Sequence, residues 1–192
     1  MDVLQRDRKY VLTIGDYKSG DGVQITDLQV RFDVTKSADN KRKGSNAATI
    51  EVYNLSRATL SRLETEFLEA TLAVGYASSG DVQEIITGNV TETRTVKQGT
   101  DTVTQLLLGE GYVSLNHQRL KSLVAPGKTV QDVIEEIRKQ MPGVVRGAYA
   151  SLNLSNKVIY GYPLNGTPRA MLDRLCKEQK LEWRVDNGAL TI

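Results

Sequence analysis

In the N-terminal half of the chain, apolar side chains recur at every second position. Leu28-Gln29-Val30-Arg31-Phe32-Asp33-Val34 alternates strictly, the period of a strand with one face in a core and the other in solvent. Shorter runs at Tyr10 to Ile14 and Val23 to Ile25 precede it, parted by the turn-forming Ser19-Gly20-Asp21-Gly22, and Thr49 to Tyr53 reads as the next strand. Ser56 to Leu68 breaks the pattern. Ser56 is placed to cap a helix whose Leu60, Leu63 and Phe67 share one face. Strands resume at Thr71 to Tyr76, Glu84 to Val96 and Thr102 to Tyr112. The second of these is long and carries Thr91, Thr93 and Thr95, a composition suited to a pleated surface. Gln98-Gly99-Thr100-Asp101 turns it back into the third, which predicts an extended hairpin. Residues 1–115 thus read as an antiparallel β-barrel domain with one short helix, since closing the strands into a barrel would hide their edges.

The period then changes. Pro126-Gly127-Lys128 leads into Thr129-Val130-Gln131-Asp132, a capping box in which Thr129 and Asp132 satisfy each other's backbone amides. Val130, Val133, Ile134, Ile137 and Met141 continue as a helical stripe that Pro142-Gly143 stops. A strand is predicted at Lys157 to Tyr162. Thr167-Pro168 then opens a second helix, with proline at the first helical position where its missing amide costs nothing. Met171, Leu172, Leu175 and Cys176 form that helix's apolar face. Leu181, Trp183 and Val185 alternate before Asn187-Gly188 makes a tight hairpin turn. Residues 116–192 are therefore a small α/β domain, and the chain as a whole is α+β.

Between two strands lies Lys36-Ser37-Ala38-Asp39-Asn40-Lys41-Arg42-Lys43-Gly44-Ser45-Asn46, with one alanine as its sole apolar residue. It reads either as a solvated loop or as a contact arm ordered by a partner chain, with Lys36, Asp39, Lys41, Arg42 and Lys43 as the candidate subunit-contact residues.

Composition narrows the function classes. The chain has 192 residues, 25% of them charged, and a net charge of +2, which gives no case for a dedicated nucleic-acid binder. No window approaches the roughly 18 apolar residues of a membrane span, and the polar start Met1 to Lys9 does not read as a secretory signal. The Asn-x-Ser/Thr sequons at Asn54, Asn89, Asn153 and Asn165 therefore carry no glycosylation reading. With one cysteine, Cys176, and one histidine, His117, an intramolecular disulfide, a multi-cysteine zinc site and most histidine-based catalytic sets are excluded.

The remaining chemical candidates read as structural. Gly127-Lys128-Thr129 suggests a phosphate loop, but that motif needs glycine where Ser122 stands. His117 lies between the two domains, without a serine-centred glycine elbow or cysteine signature to serve. Cys176 sits on an apolar helix face, where a free cysteine acts as a small hydrophobe. Glu64, Glu66 and Glu69 cluster, yet nothing pins two carboxylates across a cleft. Trp183 shares the face of Leu181 and Val185 and reads as a core anchor. No catalytic, cofactor-binding or metal-binding residue is assigned, and the chain is not expected to be an enzyme.

The order of elements and several local phrases resemble the baseplate hub family of contractile-tailed bacteriophages, also called late control protein D. Ile50-Glu51-Val52-Tyr53-Asn54-Leu55-Ser56 before a short helix, Leu72-Ala73-Val74-Gly75-Tyr76, and Ile86-Thr87-Gly88-Asn89-Val90 carry the resemblance. Gly109-Glu110-Gly111-Tyr112 departs mildly, because the family usually has an Asp-Gly pair there. The α/β part fits through Thr129, Gly161, Thr167 to Lys180, and Leu181-Glu182-Trp183 with its Asn187-Gly188 turn.

The resemblance implies a tail-tube-like barrel joining a sixfold tube to a threefold central spike. Members carry two similar barrels per chain, so that a trimer presents a pseudo-sixfold ring. This sequence holds the first barrel and the α/β domain and stops at Thr191-Ile192, so a partial hub and a second subunit supplying the other half are both open. A trimer is expected, with a hexameric ring of single barrels as the alternative.

The implied partners are the tail tube, central spike, other baseplate proteins and the tape measure protein. The implied place is the virion tail, assembled in the host bacterial cytoplasm, with DNA as passing cargo, no membrane and no cofactor. Thr91, Thr93 and Thr95 are the candidate lumen-facing residues. Two other readings remain. A cell-wall-binding or wall-degrading tail accessory would need an acidic pair beside exposed aromatics. A nucleic-acid binder would use Lys41-Arg42-Lys43 and weaken steeply with salt.

Overall fold

The computed structural model describes residues 8–15, 22–36, 46–63, 67–77 and 80–192. The described residues form two compact units, one ending at Glu110 and the other beginning at Gly111.

The first unit contains β1 (Arg8–Ile14), β2 (Val23–Ile25), β3 (Val30–Thr35), β4 (Ala47–Tyr53), α1 (Arg57–Arg62), β5 (Glu69–Tyr76), β6 (Val82–Gln98) and β7 (Asp101–Gly109). The strands make one antiparallel sheet in the order β2-β1-β5-β6-β7-β4-β3. Its two edges, β2 and β3, are neighbours in sequence. Laid flat, seven strands would set those edges about 29 Å apart, at about 4.8 Å per gap. The chain from Ile25 to Val30 can reach no more than about 18 Å. The sheet must therefore curl round on itself.

The corner residues are fastened on both sides. The Tyr10 hydroxyl donates to the Leu28 carbonyl, and the Tyr53 amide donates to the Gln29 carbonyl at 3.0 Å. No ladder joins β2 to β3 among the described residues. The barrel expected from the sequence is thus a curled sheet closed by a bent run of chain. Inside it, Leu12, Ile14, Ile50, Leu72, Ile86 and Leu106 are buried almost completely.

Two expectations shift here. The helix opening at Ser56, whose hydroxyl oxygen accepts the Thr59 amide at 3.1 Å, closes at Leu63 and not at Leu68. Phe67 has a positive φ of 58° and β5 begins at Glu69, so the chain must reverse there; residues 64–66, with Glu64 and Glu66, lie outside the described residues. The last strand stops at Gly109, short of Tyr112. Gly111, at φ 61°, turns the chain into a five-residue helix, α2 (Tyr112–Asn116).

The second unit adds β8 (Leu120–Val124), α3 (Val130–Lys139), β9 (Val145–Arg146), a 3-10 turn (Leu152–Ser155), β10 (Tyr162–Gly166), α4 (Pro168–Gln179), β11 (Arg184–Asp186) and β12 (Ala189–Thr191). The predicted capping box is present: Asp132 Oδ2 accepts from the Thr129 amide at 2.9 Å, and Thr129 Oγ1 accepts the Asp132 amide at 3.2 Å. Thr167 caps α4 with Pro168 in its first turn. Asn187 and Gly188, at φ 50° and 71°, make the two-residue turn between β11 and β12, the left-handed pair that such a hairpin requires. Val133, Ile134, Ile137, Leu164, Leu172, Leu175 and Leu190 form this unit's own core.

The strand expected at Lys157 to Tyr162 lies five residues further on. Lys157 makes one isolated bridge with Thr129, and Gly161, at φ 80°, breaks the run. Tyr162 and Leu164 are the buried alternating pair, whereas Ile159 and Tyr160 are exposed.

Candidate functional site

The sequence places its candidate site residues on surfaces of the first unit. β6 serves two neighbours: Val82 to Asn89 ladders with β5, and Asn89 to Gln98 ladders with β7. A bulge between Val90 and Glu92 leaves Thr91 as the extra residue, and its hydroxyl donates to the Leu107 carbonyl at 3.1 Å. A bulge also changes which residues face inward. Beyond it Thr93 stands opposite Leu106, and Thr95 opposite Thr104 with the two hydroxyls 3.2 Å apart. Directly opposed residues share a sheet face, so Thr93 and Thr95 lie on the face of buried Leu106. Glu92 and Arg94 take the other. All three threonines are nonetheless exposed, although Leu106 and Thr104 opposite them on β7 are buried.

Lys36 is exposed immediately after β3, while Asp39, Lys41, Arg42 and Lys43 lie outside the described residues. Where that loop rejoins the sheet lies a buried contact that no local pattern announces. Asn46 Nδ2 donates to Glu110 Oε2 at 2.7 Å and the Glu110 amide donates to the Asn46 carbonyl at 3.0 Å. Both residues are buried. They tie the start of β4 to the chain just past β7, at the family-like phrase where glutamate replaces the usual aspartate.

The glycines of the family-like phrases also gain a physical cause. A Cβ on Gly88 would stand 2.8 Å from the Gly109 carbonyl oxygen, and one on Gly75 2.2 Å from the Asp81 carbonyl oxygen. The backbones approach too closely for any side chain.

At one end of the curled sheet an open cavity of about 890 Å³ is lined by Tyr10, Leu28, Val30, Phe32, Val74 and Tyr76, with Arg8, Lys9 and Asp81 among its polar groups. Phe32, predicted to face a core, is 41% exposed here, because β3 is an edge strand beyond the packed centre. One carboxylate beside two cations is not the two-carboxylate arrangement of a glycosidase.

The Gly127 amide donates to the Val158 carbonyl at 2.8 Å and the Lys128 carbonyl accepts the Val158 amide at 2.8 Å. The backbone of Gly127-Lys128-Thr129 is thus engaged in a turn and a cap, not curled round an anion. His117 ends α2 with its ring 5.6 Å from that of Tyr112. Burial pushes the Cys176 thiol up to about 12, with Asp173 adding to the effect, so it is not a thiolate near neutrality. Trp183 is buried and its indole donates to Asp173 Oδ1 at 2.9 Å. Among the described residues, no group of three His, Cys, Asp or Glu side chains is placed to hold a metal ion, and no helix is long and apolar enough to cross a membrane.

The first unit is a curled antiparallel sheet and the second a compact α/β unit. No protein-family model and no curated protein matches the sequence. The fold is nonetheless that of phage and prophage tail proteins. It matches the 43 kDa tail protein of prophage MuSo2 from Shewanella oneidensis with a TM-score of 0.68 and 13% identity, over 96% of this chain and 53% of that one. It matches a tail protein from Neisseria meningitidis with a TM-score of 0.65 and 14% identity, over 96% of this chain and 50% of that one. It also matches a chain of the Francisella PdpA–VgrG complex, with a TM-score of 0.57 and 5% identity, over 98% of this chain and 31% of that one. The chain spans about half the length of the two tail proteins. The resemblance to the hub family read from the sequence agrees with these neighbours.

Proposed function

We propose that this chain is a non-enzymatic structural subunit of a phage baseplate hub, which adapts the sixfold tail tube to the threefold central spike and continues the tail channel. The observation that carries this reading is the match of fold, across both units, to phage tail proteins. The exposed outer half of β6 and the single-sided pairing of β3 support it, since unpaired strand edges are the surfaces through which subunits of a ring meet. On this reading Thr91, Thr93 and Thr95 line the lumen, Lys36 to Lys43 contact a neighbouring subunit, and residues 1–115 and 116–192 are the two domains. The tube, spike, other baseplate proteins and tape measure protein are the partners in the virion, and DNA passes without being gripped.

A hexameric tube or baseplate ring is the second reading, favoured by the one barrel-like sheet among the described residues. Native mass measurement with negative-stain imaging separates the two. Three or six copies around a central hole supports a ring former; a monomer at every concentration, with clearing activity on peptidoglycan, would replace it with the wall-degrading accessory.

A further inference from the structure

The second unit has a two-stranded sheet, β8 paired with β10, whose two outer edges are treated differently. On β10, Pro163 stands opposite Leu123. Proline has no amide to give, so this is a non-hydrogen-bonded pair, and both residues direct their backbone groups away from each other. The Pro163 carbonyl accordingly accepts Arg174 Nη2 at 2.9 Å on the outer side. Proline and arginine together blunt that edge.

The same ladder phase turns the amide and carbonyl of Leu123, and two residues earlier those of Lys121, outward on the free side of β8. No strand pairs there among the described residues. Arg119, Lys121 and Leu123 alternate with buried Leu120 and Val124, so the three share the exposed face. Leu123 is 69% exposed, and neither Arg119 nor Lys121 has an ion-pair partner among the described residues. Apolar surface continues past the C-terminal end of β8: exposed Ile159 and Tyr160 precede Gly161, whose Cβ position lies 2.9 Å from the Val124 carbonyl oxygen. From Gly111 to Ile192 the chain carries twelve Lys and Arg against seven Asp and Glu.

We propose that the free edge of β8 is a docking site for an extended acidic segment of a partner protein, added as an antiparallel third strand beside Arg119, Lys121 and Leu123. Strand addition draws affinity from main-chain hydrogen bonds and specificity from alternate side chains. Antiparallel pairing sets an apolar residue opposite Leu123, then acidic residues two and four positions later opposite Lys121 and Arg119. The partner segment reads apolar-x-acidic-x-acidic, and charge complementarity chooses it over a neutral strand.

The test uses the full chain and a fluorescent seven-residue peptide with valine at its second position and glutamate at its fourth and sixth, in a threonine background. A second peptide has lysine for both glutamates. The glutamate peptide should bind saturably and weaken as salt is raised. R119E/K121E should bind it at least ten-fold more weakly and should now prefer the lysine peptide. L123D, a change at an exposed position, should weaken both.

Equal binding of the two peptides, no saturable binding up to millimolar peptide, or unchanged binding by R119E/K121E overturns the proposal. Binding to phosphatidylglycerol vesicles in place of the peptide overturns it in favour of a lipid surface. Loss of self-association in L123D overturns it in favour of a second copy of the chain. The hub reading stands or falls separately, on the copy number of the unmodified protein.

Discussion

The bond between Trp183 and Asp173 makes a sharp test of how the second unit is held together. Trp183 is the chain's one tryptophan, so its fluorescence follows this unit alone. Its ring is buried and its indole N–H has Asp173 Oδ1 as acceptor at 2.9 Å. Asp173→Ala leaves that donor without its partner, a loss of about 2 kcal/mol from the range for an orphaned buried group. Alanine returns about 0.5 kcal/mol through its better helix preference in α4. The net cost is about 1.5 kcal/mol, which in a unit of about 80 residues lowers Tm by roughly 6–12 °C. Asp173→Asn keeps a carbonyl acceptor without the charge and should lose about half as much. A thermal melt followed by tryptophan emission reads both variants. If D173A melts within about 1 °C of the unmodified protein, the indole bond is idle and Trp183 is held by packing alone.

Thr129→Ala should cost about 1 kcal/mol at pH 7, the usual worth of a helix cap. The bonds from Thr129 hold the Asp132 carboxyl below its ordinary range. The stability this carboxylate contributes is therefore complete above its unfolded value of about 3.9 and lost as pH falls through the lower folded value. Melts of both proteins at pH 7 and below pH 3 should show the gap between them narrowing in acid. Cys176 should resist maleimide at pH 8 in the folded protein and react in urea; rapid labelling without denaturant would mean the α4 face opens readily. Gly88→Ala should destabilise the first unit by about 1–3 kcal/mol, since backbone and not a flexible side chain must yield. Urea titration followed by far-ultraviolet circular dichroism measures it, and an unchanged midpoint would show that β6 and β7 part at little cost.

Local signals are legible wherever one residue type dictates one geometry. Ser56, Thr129 and Thr167 cap, Pro168 opens α4, and Asn187-Gly188 turns. The strand order of the curled sheet is non-local, yet its fold class was legible because alternation persisted through Val30, Ile50, Leu72 and Leu106.

The pattern misleads where the surface carries apolar residues. Leu123 is exposed, which masked β8, and exposed Ile159 and Tyr160 drew the expected strand away from Tyr162 and Leu164. Phe32 fits the alternation of β3 and still meets solvent, since periodicity reports the face of a strand and not how far the core extends beneath it. The alternation around Thr91, Thr93 and Thr95 gives no sign of the bulge that sets Thr91 apart. The Asn46–Glu110 bond joins residues 64 positions apart, beyond the reach of any local pattern.

The corner formed by Thr26, Asp27, Leu28 and Gln29 works as the buckle of a hoop. A girth fixed by a single covalent strap cannot creep by one register, as a seam of exchangeable hydrogen bonds can. Residues inserted at that strap would slacken the whole cylinder, whereas residues inserted at the Gly99-Thr100 tip would only lengthen a spur. In the proposed ring of copies, identical diameter in every copy is the property that would let the circle close.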